Sequence, residues 1–152
     1  MANTQVTGNI AKYASYAYAF KRINQAFENH YYLEAITICE SIITDRLLSY
    51  GEYITEKYIG DKATLGNVIT KIKKNKKFVI NEEAENLLEE VDAWRNKRNS
   101  AVHSVAKSKP GTATQSVEEF LDEAKLCAQI GKKLARKVCD WHKKTKHKED
   151  KK

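Results

Sequence analysis

Apolar residues recur along this chain at intervals of three and four, the spacing that gathers side chains on one face of an α-helix. Ile10, Tyr13, Ala14, Ala17, Phe20, Ile23, Asn24 and Phe27 predict a first helix over about residues 10–28. Asn29-His30-Tyr31 reads as a short joint. Leu33, Ile36, Ile43, Leu47, Tyr50 and Ile54 then predict a second helix reaching about residue 54, with a carboxylate, Glu40, inside its apolar stripe. Gly51 and Gly60-Asp61 bracket an expected loosening. A short third helix starts at Thr64-Leu65-Gly66, where the Thr64 hydroxyl suits an N-cap, and it ends in a charged connector at residues 71–77. Asn81 suits the N-cap of a fourth helix, with Glu82 and Glu83 complementing the dipole of its first turn. Leu87, Leu88, Val91 and Trp94 form its apolar face.

Residues 107–114 hold the single proline and read as a loop. Ser116-Val117-Glu118-Glu119 has the form of a capping box and opens a long last helix. Its stripe is Phe120, Leu121, Ala124, Cys127, Ala128, Gly131, Leu134, Ala135, Val138 and Trp141. Past Trp141 the apolar face disappears into His142-Lys143-Lys144-Thr145-Lys146-His147-Lys148. Residues 142–152 are therefore expected to form a basic, disordered tail after a domain of residues 1–141. Four to five helical patterns, short joints and no strand pattern give an all-α fold, an antiparallel up-and-down helical bundle.

Composition narrows the picture further. A chain of 152 residues can bury roughly two thirds of its unfolded surface, enough for one core. Six glycines and one proline leave little material for the many turns of a β-rich fold. The net charge of +7 is concentrated at residues 71–77 and in the tail, and it points to a polyanionic partner or to a solvated basic surface. Lys71, Lys73, Lys74, Lys76 and Lys77 are the candidates for holding a polyanion, such as a nucleic acid through its phosphates. Tyr13, Tyr16 and Tyr18 could stack on bases, but their helical spacing favours packing as core and groove filler.

Three cysteines, Cys39, Cys127 and Cys139, fall inside helical patterns without metal-knuckle spacing, so reduced thiols in a reducing compartment are expected. Lys12, Lys21 and Arg22 interrupt the N-terminal apolar run, so neither a signal peptide nor a membrane span is expected, and the expected location is cytoplasmic. The sequence lacks a His-Glu-x-x-His motif, a phosphate loop ending in Gly-Lys-Ser/Thr and a Gly-x-Ser-x-Gly elbow. No cluster has metal-ligand spacing, and no metal or cofactor is expected.

The informative chemistry lies at the end of the fourth helix, in Trp94-Arg95-Asn96-Lys97-Arg98-Asn99-Ser100-Ala101-Val102-His103. Arg98 continues the line of Leu87, Val91 and Trp94, so a guanidinium enters the apolar stripe and needs an anionic partner. Glu40, equally misplaced on its own stripe, is a plausible one; Asp45 and Arg46 sit to the side, where surface charge is the plain reading. On a continuous helix Arg98 and His103 would stand roughly 140° apart. They can share a pocket across a wide groove, if the helix loosens near Ser100, or if a second copy completes the site.

The run Arg98-Asn99-Ser100-Ala101-Val102-His103 resembles the signature of the HEPN superfamily (higher eukaryote and prokaryote nucleotide-binding domains): an Arg, a polar residue, and a His four to six residues after the Arg. The helix bearing Glu40, Asp45, Arg46 and Leu47 and the Thr64-Leu65-Gly66 helix start look like the corresponding helices of HEPN proteins in phage defence. The likeness spans roughly residues 13–141, although only the motif is specific. It implies a metal-independent endoribonuclease that leaves 2′,3′-cyclic phosphate ends. Arg98, Asn99 and His103 would be the catalytic residues, with Glu40, Asp45 and Arg95 in support. It also implies a homodimer with a composite site and a regulatory or antitoxin partner. In the toxin subset a Tyr stands two residues after the His; in this chain Val105 takes that place, so regulation through that Tyr is not implied. The alternative is an inactive HEPN bundle that binds RNA, a nucleotide or a protein. A plainer reading makes Arg98 a structural partner of Glu40 and His103 a helix-end residue.

Overall fold

Helix α2, Tyr32–Thr55, is the element against which the others pack: α1 (Thr4–Glu28), α3 (Leu65–Lys73) and α5 (Val117–Glu149) all lie against it, and α4 (Glu82–His103) closes the bundle between α3 and α5. This is a computed structural model. It describes residues 4–60, 62–78, 81–103 and 116–149, with side chains from residue 12 to residue 145. Among the described residues there is no strand, and the fold is an all-α helical bundle. None of the described helices is long and apolar enough to cross a membrane.

The helix starts expected from the sequence are formed by the expected side chains. Thr64 Oγ1 accepts from the Asn67 amide at 3.3 Å, Asn81 Oδ1 from the Ala84 amide at 3.2 Å, and Ser116 Oγ from the Glu119 amide at 3.2 Å. Each satisfies a first-turn donor that the helix itself leaves unpaired. The α1–α2 joint turns on His30, whose φ of 59° is left-handed, and the Tyr31 amide donates back to the Ala26 carbonyl at 2.7 Å.

The core is one continuous apolar cluster drawn from all five helices. Trp94 is its largest fully buried side chain. The indole Nε1 donates to the Cys127 carbonyl at 2.9 Å, which satisfies the only polar atom of the ring. At the other end of α5, Trp141 meets Tyr50 edge to face, with ring centroids 4.6 Å apart. Cys39 and Cys127 are buried and Cys139 half-buried, all as free thiols. Burial raises all three, the Cys39 thiol to about 12, so none is a thiolate near neutral pH.

The structure departs from the sequence expectation in several places. On α1 the inward face is Tyr16, Ala19, Phe20, Ile23, Ala26 and Phe27, not the line through Tyr13, Ala14 and Ala17. Tyr13 and Tyr18 are 74% and 67% exposed, so they are not core filler. Alternating alanines and tyrosines leave two faces of α1 almost equally apolar, and packing on α2 decides between them. Leu33 and Leu121 also lie outside the core. Gly51 does not loosen α2: it is buried, and a Cβ there would stand 3.0 Å from Ile59 Cδ1 and 3.2 Å from Ile72 Cγ1. Its smallness lets the chain after α2 fold back closely. Helix α5 runs without a break at His142 and continues to Glu149, into the segment expected as a tail. The proline-containing loop at 107–114 and residues 150–152 lie outside the described residues, as does Asp61.

Candidate functional site

Arg98 stands one turn beyond Trp94 on α4, and the same stripe that buries Trp94 carries it inward. Its side chain is 19% exposed and that of Glu40, on α2, 27%. The two form an ion pair, Nη2 donating to Glu40 Oε1. Each charge thus supplies the partner that its place on an apolar face demands. Arg98 Nε is a buried side-chain nitrogen with no hydrogen-bond partner among the described residues. The pair leaves one donor of the guanidinium unsatisfied in a water-poor place.

Asn99 and Val102 are half-buried, and His103, the last residue of α4, is exposed. The helix does not loosen at Ser100, so Arg98 and His103 stand roughly 140° apart around it, with about 7.5 Å of rise between them. One chain therefore does not bring the arginine and the histidine to a common point. Ser104 and Val105 lie outside the described residues.

Arg95 does not join Glu40. Its Nε donates to Asp92 Oδ1 at 3.1 Å, Nη2 stands at ion-pair distance from the same oxygen, 3.1 Å, and its guanidinium lies where a Cβ on Gly66 would come within 3.3 Å. Lys73 reaches Asp92 from α3 at 3.6 Å, so Arg95 belongs to a charged seam between α3 and α4. The candidate phosphate-binding lysines Lys71, Lys73, Lys74, Lys76 and Lys77 are all exposed along the same connector. Lys77 meets Glu56 at 3.5 Å, while Lys71, Lys74 and Lys76 form no ion pair with a described residue.

Asp45 shares with Glu40 the wall of a shallow groove of about 400 Å³ along α2, which ends at Ala63 and Thr64. Its own partners lie elsewhere. The Tyr16 hydroxyl donates to Asp45 Oδ2, Arg46 Nη2 donates to the same oxygen at 2.8 Å, and Lys12 stands 3.2 Å away. Burial would raise the Asp45 carboxyl, but the hydrogen bonds from Tyr16 and Arg46 and the nearby cations outweigh it and hold the group below the usual carboxylate range. Burial, with the hydrogen bond to Asp45, pushes the Tyr16 phenol well above its ordinary value.

Arg46 spans this second cluster. Nε donates to the Tyr16 hydroxyl at 2.8 Å, and Nη1 lies 3.4 Å from His142 Nδ1, whose Nε2 is 3.2 Å from Ser49 Oγ. A guanidinium can only donate, so His142 accepts at Nδ1, carries its proton on Nε2 and donates to Ser49. The sequence pattern places Arg46 among the surface charges and His142 at the head of the tail; both are instead built into the joint of α1, α2 and α5. Nothing in the local sequence pairs Tyr16 with residues 29 and 30 positions away. No sequence signal finds the cluster, because Tyr16 lies off the apolar stripe that the spacing predicts for α1.

Among the described residues no group of three or more His, Cys, Asp or Glu side chains is placed to hold a metal ion. No protein-family model matches the chain, and no curated protein or solved structure matches it.

Proposed function

We propose that this protein is a metal-independent endoribonuclease that cleaves single-stranded RNA at the end of α4, as a homodimer whose two copies complete one another's site. The observation that carries the reading is the exposure pattern there. Arg98 and Asn99 are half-buried, Arg98 is held by its ion pair, and His103 stands exposed at the helix end, within reach of an incoming strand. The resemblance of these residues to the HEPN motif supplies the chemistry.

The 2′-hydroxyl attacks the adjacent phosphorus and loses its proton to His103, and the 5′-oxygen leaves and takes up a proton, giving a 2′,3′-cyclic phosphate and a 5′-hydroxyl. Arg98 stabilises the charge gathering on the pentavalent phosphate, and Asn99 orients the phosphate or the imidazole. Because the two side chains diverge on one helix, the arginine of one copy works with the histidine of the other. Lys71, Lys74 and Lys76 supply phosphate contacts. The biological setting that goes with this reading is phage defence or a toxin system in the cytoplasm, with a regulatory or antitoxin partner.

The Arg98–Glu40 ion pair favours a second reading, since a guanidinium already neutralised by a carboxylate can be purely structural. The bundle then binds RNA, a nucleotide or a protein without cutting.

Total RNA incubated with the purified protein in excess chelator, beside His103→Ala, separates the two. Cleavage that survives chelation, yields cyclic phosphate ends and disappears in His103→Ala supports the nuclease. Binding without cleavage supports the second reading. Metal-dependent cleavage, or equal cleavage by His103→Ala, overturns the roles of Arg98 and His103 in catalysis.

A further inference from the structure

A groove of about 450 Å³ opens between α1 and α5, beside the Tyr16–Arg46 cluster. It lies away from the end of α4: Arg46 is six residues along α2 from Glu40, a rise of about 9 Å. Phe20, Tyr16, Ala17 and Cys139 contribute apolar surface to it. Four cations, Lys12, Arg46, Arg136 and Lys143, line it against one carboxylate, Asp140.

The four cations are not equivalent. Lys12 and Arg46 are engaged with Asp45. Arg136 forms no ion pair or hydrogen bond with a described residue; its guanidinium carbon instead sits 4.6 Å from the centroid of the Phe20 ring. A guanidinium laid over a ring keeps its N–H donors in its own plane, where a planar or tetrahedral anion can meet two of them. Lys143, also without an ion pair among the described residues, lines the same groove. Tyr13, exposed on α1, presents a ring at the mouth. A concave, largely apolar site with a few convergent charged groups is the form small-ligand sites take.

We infer that this groove binds a small phosphorylated ligand carrying an aromatic ring, of the nucleoside monophosphate class, with its phosphate on Arg136 and Lys143 and its ring against Phe20 and Tyr13. Both halves of such a ligand are needed. Inorganic phosphate leaves the aromatic surface uncovered, and a neutral nucleoside gives the cations nothing to hold. The site is separate from the end of α4 and does not depend on RNA cleavage. The same chemistry can arrive as a free nucleotide or as one nucleotide of a strand.

Isothermal titration of the full chain with AMP, adenosine, inorganic phosphate and a short oligoadenylate tests this. AMP is expected to bind saturably, with adenosine and phosphate each at least tenfold weaker. Arg136→Gln should weaken AMP at least tenfold with helicity unchanged, because the side chain is exposed. Lys125→Gln, an exposed cation of α5 outside the groove, should not. Phe20→Leu should weaken AMP more than phosphate. Oligoadenylate binding more than tenfold tighter than AMP, with the same dependence on Arg136, identifies a strand as the source; equal affinities identify a free nucleotide. No saturable AMP binding at millimolar concentration, equal affinity in Arg136→Gln, or phosphate binding as tightly as AMP overturns the inference.

Discussion

Arg98 on α4 and Glu40 on α2 answer one another across the bundle: each is a charge set into an apolar stripe, and each is the other's ion-pair partner. Removing the arginine strands a half-buried carboxylate. Arg98→Ala is therefore expected to destabilise the fold by about 2 kcal/mol, below the cost for a fully buried pair because both side chains keep some access to water. The double variant Arg98→Ala with Glu40→Ala should recover part of the loss. Denaturant midpoints measure both, and an Arg98→Ala protein as stable as wild type would mean the pair holds nothing together. His103→Ala, at an exposed helix end, should shift stability by less than about 0.5 kcal/mol while lowering cleavage by at least about a hundredfold.

Gly131 faces the indole of Trp94, and a Cβ built there would stand 2.7 Å from Cζ2 of the ring. The ring is fully buried and tied to the Cys127 carbonyl, so it cannot step aside. Gly131→Ala should cost about 1–3 kcal/mol, despite a gain of nearly 1 kcal/mol in helix propensity. Gly66→Ala provides the contrast. The nearest atoms to its new methyl are those at the far end of the long Arg95 side chain, at 3.3 Å, and the change should be neutral or stabilising by up to about 1 kcal/mol. Thermal midpoints that move the same way in both variants would contradict the contrast.

Asp45 gives stability a dependence on acid. Its carboxyl is held below the usual range in the folded state, so it binds protons less readily there than in the unfolded chain. The stability it contributes is complete above the unfolded value near 4 and is lost as pH falls through the folded value. The difference between wild type and Asp45→Asn should accordingly be constant from about pH 7 to pH 5 and shrink below about pH 4. A difference that grows on acidification would reverse the assigned sign.

If Lys71, Lys74 and Lys76 contact RNA phosphates, changing all three to Gln should reduce the slope of log affinity against log salt by about 2, at roughly 0.7 per phosphate contact on a single strand. Sequence preference should stay the same. An unaltered slope would make the connector a solvated surface only.

What can be read from sequence depends on how far each feature reaches along the chain. The caps at Thr64, Asn81 and Ser116 act within one turn, and all three are formed as expected. The Glu40–Arg98 pair is legible for another reason, since a charge breaking an apolar period announces its own need for a partner. The cluster of Tyr16, Asp45, Arg46, Ser49 and His142 is not legible. Its members sit on three helices, and each alone is an ordinary side chain at a helix flank. The inward face of α1 escapes the sequence pattern because tyrosine and alanine satisfy either side of a helix, and only contact with α2 chooses.

Helix α1 finds its main support in a single neighbour, α2, and where it fails to close on α5 the groove beside Arg136 remains. An element held along one seam can open while the rest of the bundle stays shut. Its amides between Ala19 and Phe27 should therefore exchange with solvent deuterium ahead of those in the middle of α2, α4 and α5, through a partial opening with a lower free energy than global unfolding. A molecule lodged in the groove would bridge α1 to α5 and slow that exchange, coupling occupancy to the order in which the molecule comes apart.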